Sequence, residues 1–257
     1  IACKEDDTRL KTFADNQFYG RFLELPADVV GYNRYFGWYK EAGSAENFGE
    51  WLDLYHNEKE KRPVCLSEYG GGGAISQHKD NVDWESDIDP VGVRHYENYQ
   101  SQLHEILWKQ FSVRKYLWAE FIWCMFDFAS YGRTEGDTKS LNDKGLCTRE
   151  RIPKDVYFFY RSVWSSEKTV YITERRHEFR ACDVPFVKVY SNADAVELCI
   201  NDVSYGRISR CELPNDESTV FVWENIKIKP DTKNKICAKA YFSDGTSRTD
   251  YAFWTGK

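Results

Sequence analysis

The chain has 257 residues, 42% hydrophobic and 30% charged, enough apolar surface for one large core or two ordinary ones and too much for a disordered chain. Its net charge of −6 argues against nucleic acid or an anionic membrane as partner, since both need a basic face, and no apolar run approaches the ~18 residues of a membrane span. Aromatic residues are frequent, 16% with nine Trp and seventeen Tyr, which fits a bulky core first and, second, a site that stacks flat rings such as sugars or bases.

In chain order, the first two thirds alternate apolar runs with amphipathic stretches. Leu10–Asn16 and Ala27–Asn33 are short apolar runs that end in polar residues. Between Ser44 and Tyr55, the residues Phe48, Trp51, Leu52 and Tyr55 fall at the i, i+3, i+4, i+7 spacing of one helix face. Pro63–Glu68, PVCLSE, predicts a short strand. Tyr96, Tyr99, Leu103, Ile106, Leu107 and Gln110 share one side of a longer helix. Tyr116–Phe126 is apolar on both faces apart from Glu120, the pattern of a parallel strand buried on both sides. Pro153 suits the first position of a last helix that runs through Tyr160 and Trp164. This alternation predicts an α/β unit with a parallel sheet.

After about Ser166 the period changes to two. Phe186–Tyr190 is one such run; Val196, Leu198 and Ile200 point one way, Glu197 and Cys199 the other; Val220–Trp223 and Ile236–Tyr241 follow. Asp244-Gly245 signals a hairpin turn before Thr249–Trp254. Short alternating strands predict an all-β sandwich, so the chain divides into 1–166 and 167–257.

The eight cysteines stand at positions 3, 65, 124, 147, 182, 199, 211 and 237. None forms CxxC and none joins a histidine cluster of ligand spacing, which argues against a zinc site. Cys65, Cys124 and Cys199 lie in apolar runs and are expected as buried thiols; disulfides among Cys182, Cys199, Cys211 and Cys237 stay open. The first residues, IACKEDDTRL, carry neither an initiator Met nor a signal-peptide pattern, so the sequence is expected to start partway into a longer one.

Four polar points fall at the carboxyl ends of the four predicted parallel strands: Asp15-Asn16, Asn33-Arg34-Tyr35, Ser67-Glu68-Tyr69-Gly70, and Trp123 with Asp127. In a (β/α) barrel that face holds the active site. Glu68 stands out: a carboxylate closing a buried strand, followed by Tyr69 and the run Gly70–Gly73, which lets backbone pass close to a ligand. The plainer alternative is a helix cap or an ion pair. Tyr35 lies in the aromatic run GYNRYFGWY, where Phe36 and Tyr39 are better read as core. Trp123 suits the floor of a sugar site or the core equally. Asn142 and Lys144, in LNDKG, could reach ligand hydroxyls or cap the loop. His78 and His104 are lone histidines, more readily structural than catalytic. No Ser-His-Asp order and no phosphate loop is present.

Taken together, GYNRYFGWY, PVCLSEYG, FIWCMFDFAS, RTEGDTKSLNDKGLCTRERIPKD and YRSVW resemble glycoside hydrolase family 2, which includes β-galactosidases, β-glucuronidases and β-mannosidases. VKVYSNADAVELCINDVSYG resembles the immunoglobulin-like domain that follows the barrel in these enzymes. The resemblance implies the carboxyl-terminal half of a (β/α)8 TIM barrel over residues 1–166, followed by an immunoglobulin-like sandwich over 167–257. It implies a retaining exo-β-glycosidase, β-galactosidase-like, with a β-glucuronidase or a non-catalytic sugar-binding fragment as alternatives. Glu68 in SEYG matches the catalytic nucleophile. Tyr35 matches the tyrosine that hydrogen-bonds it, Asn33 and Trp123 match positions near the sugar, and Asn142 and Lys144 match an Asn-x-Lys pattern that in glucuronidases contacts the sugar carboxylate. The implied partner is a β-glycoside or oligosaccharide; no cofactor and no metal is expected.

Retention needs a second carboxyl group about 5–5.5 Å from the nucleophile, to protonate the leaving oxygen. In the family this glutamate follows an asparagine at the end of an earlier strand. No Asn-Glu pair in that context precedes Glu68, and Glu24, Glu41, Glu46 and Glu50 stand in loop or helix contexts. A complete barrel also needs roughly 200 residues or more. The expectation is therefore half a barrel, with its other half on a separate chain, supplied by a second copy, or absent.

Overall fold

The computed structural model describes residues 2–16, 26–214 and 218–257; Glu24 lies outside them. In the first part, α1 (Ala2–Glu5), β1 (Ala14–Asp15), β2 (Val30–Asn33), α2 (Phe48–Glu58), β3 (Val64–Tyr69), α3 (Trp84–Asp87), α4 (Glu97–Phe111) and β4 (Leu117–Ile122) follow one another. A small ribbon of β5 (Phe128–Ala129) and β6 (Leu141–Asn142) then leads to α5 (Asp155–Trp164). Strands β1 to β4 lie side by side in chain order and all pairs are parallel. The result is a curled four-stranded half-barrel, as the alternation of strands and helices predicts.

The helix faces follow the apolar spacing. Phe48, Leu52 and Tyr55 of α2 are buried against Tyr32, Val64 and Leu66 of the sheet. Phe48 stacks on Phe36 with ring centroids 4.4 Å apart and meets Phe111 of α4 edge-on. Leu103 and Leu107 of α4 are fully buried. Burying each such side chain contributes about 1.5–3 kcal/mol.

Three expectations change. The run from Leu10 shortens to Ala14–Asp15, with Leu10 exposed. The last helix begins at Asp155, Pro153 lying before its N-cap Lys154. Strand β4 is not buried on both faces: Trp118 is 45% and Phe121 53% exposed. The reason is topological. β4 is the last strand of the sheet and pairs only with β3 among the described residues, so one edge and part of one face lack neighbours.

The second part holds β7 (Val170–Ile172), β8 (Phe179–Arg180), β9 (Asp183–Ser191), β10 (Ala195–Ile200), β11 (Val203–Ser209), β12 (Val220–Lys227), β13 (Lys233–Tyr241) and β14 (Ser247–Gly256). They form a five-stranded sheet, β11-β10-β13-β14-β8, and a three-stranded sheet, β12-β9-β7. Their inner faces share one core that includes Val189, Val196, Leu198, Phe221, Ile236 and Trp254. Trp223 and Trp254 belong to this core. Strand β11 escaped the sequence reading because its residues are almost all exposed and show no alternation.

Ion pairs join the two parts. Arg180, buried, bonds Asp80 and lies 3.0 Å from Glu174. Arg176 reaches Glu97 at 2.7 Å, and Lys188 reaches Glu105 at 2.8 Å. Among the described residues, Cys65, Cys124, Cys147, Cys182, Cys199, Cys211 and Cys237 are free thiols, with Cys65 buried and Cys124 and Cys199 only partly so. No helix among the described residues is long and apolar enough to cross a membrane.

Candidate active site

The carboxyl ends of β2, β3 and β4 bring the candidate residues together. Asn33 stands beside Glu68 in the β2–β3 register. The Arg34 amide donates to the Glu68 carbonyl at 2.9 Å, and the Trp123 amide to the Tyr69 carbonyl at 3.0 Å. Tandem parallel strands thus line up Asn33, Glu68 and Trp123 on one rim. Asn33 Oδ1 accepts from Ser67 Oγ at 2.7 Å, which fixes its amide.

Tyr35, in the turn after β2, donates its hydroxyl to Glu68 Oε2 at 2.6 Å. Burial, and then this bond and the charge of Glu68, push the phenol far above its ordinary pKa. Tyr35 therefore stays protonated and acts as a donor that orients the Glu68 carboxylate.

Lys144 is the third component. It is 2% exposed, and its ammonium donates to the Tyr39 hydroxyl at 3.2 Å. The same ammonium lies 5.8 Å from the centroid of the Tyr35 ring, 5.4 Å from that of Trp38 and 5.2 Å from that of Tyr39. Cation–π attraction of this kind strengthens when water is excluded. Asn142 Oδ1 accepts from the Lys144 amide at 3.1 Å and shapes the loop that delivers the lysine. Tyr39, read from sequence as core, is partly exposed and holds the lysine.

Deeper residues set this loop: Asp127, already picked out at a strand end, and Lys154, His95 and Asp143, which no local pattern singles out. Lys154 is fully buried and donates to the carbonyls of Gly73 and Asp143 at 2.6 and 2.8 Å and to Asp127 Oδ1 at 2.8 Å. Burial raises the Asp127 carboxyl to about 6 against the pull of Lys154. His95 Nδ1 lies 2.7 Å from Asp143 Oδ2. Burial opposes ionisation of Asp143, yet the His95 bond and the charges of His95, Lys154 and Lys144 hold it below the ordinary range.

The glycine run serves packing. A Cβ on Gly71 would stand 2.7 Å from Leu103 and from Trp38, and one on Gly70, whose φ is +127°, 2.8 Å from His104. The run threads between α4 and Trp38, so the contact that demands glycine is with side chains behind the site. His104 is wholly buried, bonds the Tyr160 hydroxyl at 2.9 Å, and is held near a pKa of about 3 by burial.

Trp123 is partly exposed and meets Phe128 edge-on. It lines a concavity of about 520 Å³ with Met125, Phe126, Arg149 and Arg151, whose lining includes neither Glu68 nor Lys144. Glu68 is half-buried and outside that concavity. The upstream dipeptide Asn57-Glu58 ends α2, with Glu58 exposed, away from any strand end. Among the described residues, what converges here is a carboxylate with a fixed donor and a caged cation.

The profile of the glycosyl hydrolases family 2 TIM barrel domain matches residues 1–169, and a domain of unknown function matches residues 184–248. A β-glucuronidase from Bacteroides fragilis is 34% identical over 230 residues, 89% of this chain and 31% of that protein. The solved structure of an FMN-binding β-glucuronidase from Faecalibacterium prausnitzii superposes with a TM-score of 0.84 at 33% identity, over 99% of this chain and 36% of that one. One from Bacteroides fragilis, provisionally described as a β-galactosidase, superposes with a TM-score of 0.88 at 28% identity, over 100% of this chain and 37% of that one. The chain spans about a third of the length of the relatives it matches. The chain belongs to glycosyl hydrolases family 2.

Proposed function

We propose that this chain carries the nucleophile side of a retaining β-glycosidase site, with a sugar subsite suited to a glucuronide. Glu68 attacks C1 of the terminal sugar and forms a covalent glycosyl-enzyme as the bond from C1 to the leaving group breaks, while Tyr35 orients the carboxylate through its 2.6 Å bond. Asn33 and Trp123 contact the sugar from the same rim. The general acid comes from outside the residues that converge here.

The observation that carries the uronide reading is Lys144. A buried ammonium beside the Tyr35–Glu68 pair, bonded among the described residues to the Tyr39 phenol and surrounded by rings, suits an anionic sugar substituent. A uronide carboxylate would add a direct ionic partner to an ammonium whose charge is otherwise felt by the neighbouring Asp143 carboxylate. The β-glucuronidase names of the relatives add support. A β-galactoside is the second reading, favoured by the Bacteroides fragilis structure described provisionally as a β-galactosidase.

Losing general-acid assistance costs about 10²–10⁴ in rate, so the first test uses substrates whose leaving group needs no proton. The chain is incubated with 2-deoxy-2-fluoro-β-glucuronyl fluoride or its galactosyl counterpart and weighed intact. One fluoroglucuronyl group is expected on the chain, none on Glu68→Gln, and loss of the uronyl preference in Lys144→Ala. Equal labelling by the galactosyl reagent would replace the glucuronide reading, and labelling of Glu68→Gln would remove Glu68 as nucleophile. A panel of nitrophenyl β-glycosides then reports whether the chain turns over alone.

A further inference from the structure

The sandwich carries exposed rings that its core does not use. Along β13, Asn234, Ile236 and Ala238 are buried and Lys233 and Lys235 point the other way. Register pairs Lys233 with Thr255, Lys235 with Phe253 and Cys237 with Tyr251, and pairs Thr255 with Phe179 on the far side. Directly opposed residues share a sheet face, so Phe179, Phe253 and Tyr251 stand with the lysines on one outer surface. These rings are 54%, 45% and 48% exposed. Lys233 lies 4.6 Å from the Phe253 ring centroid, Lys235 5.2 Å from that of Tyr251, and Lys257 4.6 Å from that of Phe179.

We propose that this face binds an acidic polysaccharide, its sugar rings stacking on Tyr251, Phe253 and Phe179 and its carboxylates meeting Lys233, Lys235 and Lys257. Three features choose this occupant. The rings step along the sheet by two residues at a time, a stripe of roughly 13 Å rather than a pocket, which fits a polymer lying across it. The cations concentrate on a chain whose net charge is −6, so the face is locally complementary to an anion while the whole molecule repels nucleic acid. Of the neighbouring acids, Glu197 is engaged, accepting from Tyr241 at 2.9 Å and Ser204 at 3.0 Å, and Asp202 pairs with Lys235 at 3.3 Å, so at Lys235 a polymer carboxylate takes the place of Asp202. The surface belongs to the sandwich sheet, apart from the Glu68 rim, whichever sugar that rim takes.

The test is electrophoresis of the intact chain in native gels cast with polygalacturonate or neutral galactan, followed by calorimetric titration at low salt. Retardation is expected in polygalacturonate alone, fading as salt is raised. Phe253→Ala and Lys235→Gln should each weaken binding by about fivefold or more, with melting temperatures unchanged because both side chains are exposed. Lys144→Ala should bind the polymer as the parent does, which separates this face from the rim. No retardation, equal retardation by galactan, or binding that survives both surface substitutions would overturn the proposal. So would flavin mononucleotide binding that is lost in the same variants while the polymer does not bind.

Discussion

Lys154→Met removes a fully buried ammonium while keeping its length and apolar stem. Lys154 ties three segments: the glycine run at Gly73, the Asp143 carbonyl beside Lys144, and Asp127 after β4. Removing one partner of a buried ion pair costs about 3–5 kcal/mol, because the other charge stays behind without compensation. For a chain of this size 1 kcal/mol shifts Tm by about 2–4 °C, so a fall of roughly 6–20 °C is expected at pH 8. The defect should depend on pH. Burial already holds the Asp127 carboxyl at about 6 with Lys154 present; without Lys154 it rises further. A carboxyl whose folded pKa exceeds its unfolded value, about 3.9, binds its proton more tightly when folded. The variant therefore regains stability as pH falls through the folded value, and the gap to the parent narrows by pH 5. Thermal unfolding of both proteins at pH 5 and pH 8 measures this. A gap below about 3 °C at pH 8, or one that does not narrow at pH 5, would refute the pinning role.

In the protein that turns over glycosides, Tyr35→Phe should lower kcat by about ten- to a hundredfold, since a hydrogen bond to a charged group contributes about 1.5–3 kcal/mol; an unchanged kcat counts against the bond acting on Glu68. Gly71→Ala places a methyl 2.7 Å from Leu103 and Trp38 and should destabilise by about 1–3 kcal/mol, read by urea unfolding. His104 and Glu174 should act with opposite signs. His104, near 3 when folded, makes the fold lose stability as pH drops below the unfolded value of about 6.5, and His104→Gln should flatten that acid slope. Glu174 is raised to about 7, chiefly by burial, so its contribution falls as pH climbs from about 4.3 through that value; Glu174→Gln should remove that decline between pH 5 and 8.

Much of this protein is written in its local patterns. The 3.6-residue spacing of Phe48, Leu52 and Tyr55, and the alternation of Val196, Leu198 and Ile200, record which face each element buries, and that is a local property of the chain. Ordered strand ends also let Asn33, Tyr35, Glu68 and Trp123 be picked out together, because parallel strands in sequential order must present their carboxyl ends on one side. Tertiary structure alone decided the rest. Whether an apolar strand such as Leu117–Ile122 is covered depends on its neighbours in the sheet, which composition does not encode. Why Gly71 must lack a side chain depends on Trp38 and Leu103, distant in sequence. Lys154 reads as an ordinary surface lysine until the fold closes three segments around it, and Tyr39 reads as core until Lys144, 105 residues later, arrives at its hydroxyl. Periodicity reports which side of an element faces inward; the partners it finds there are fixed by long-range packing.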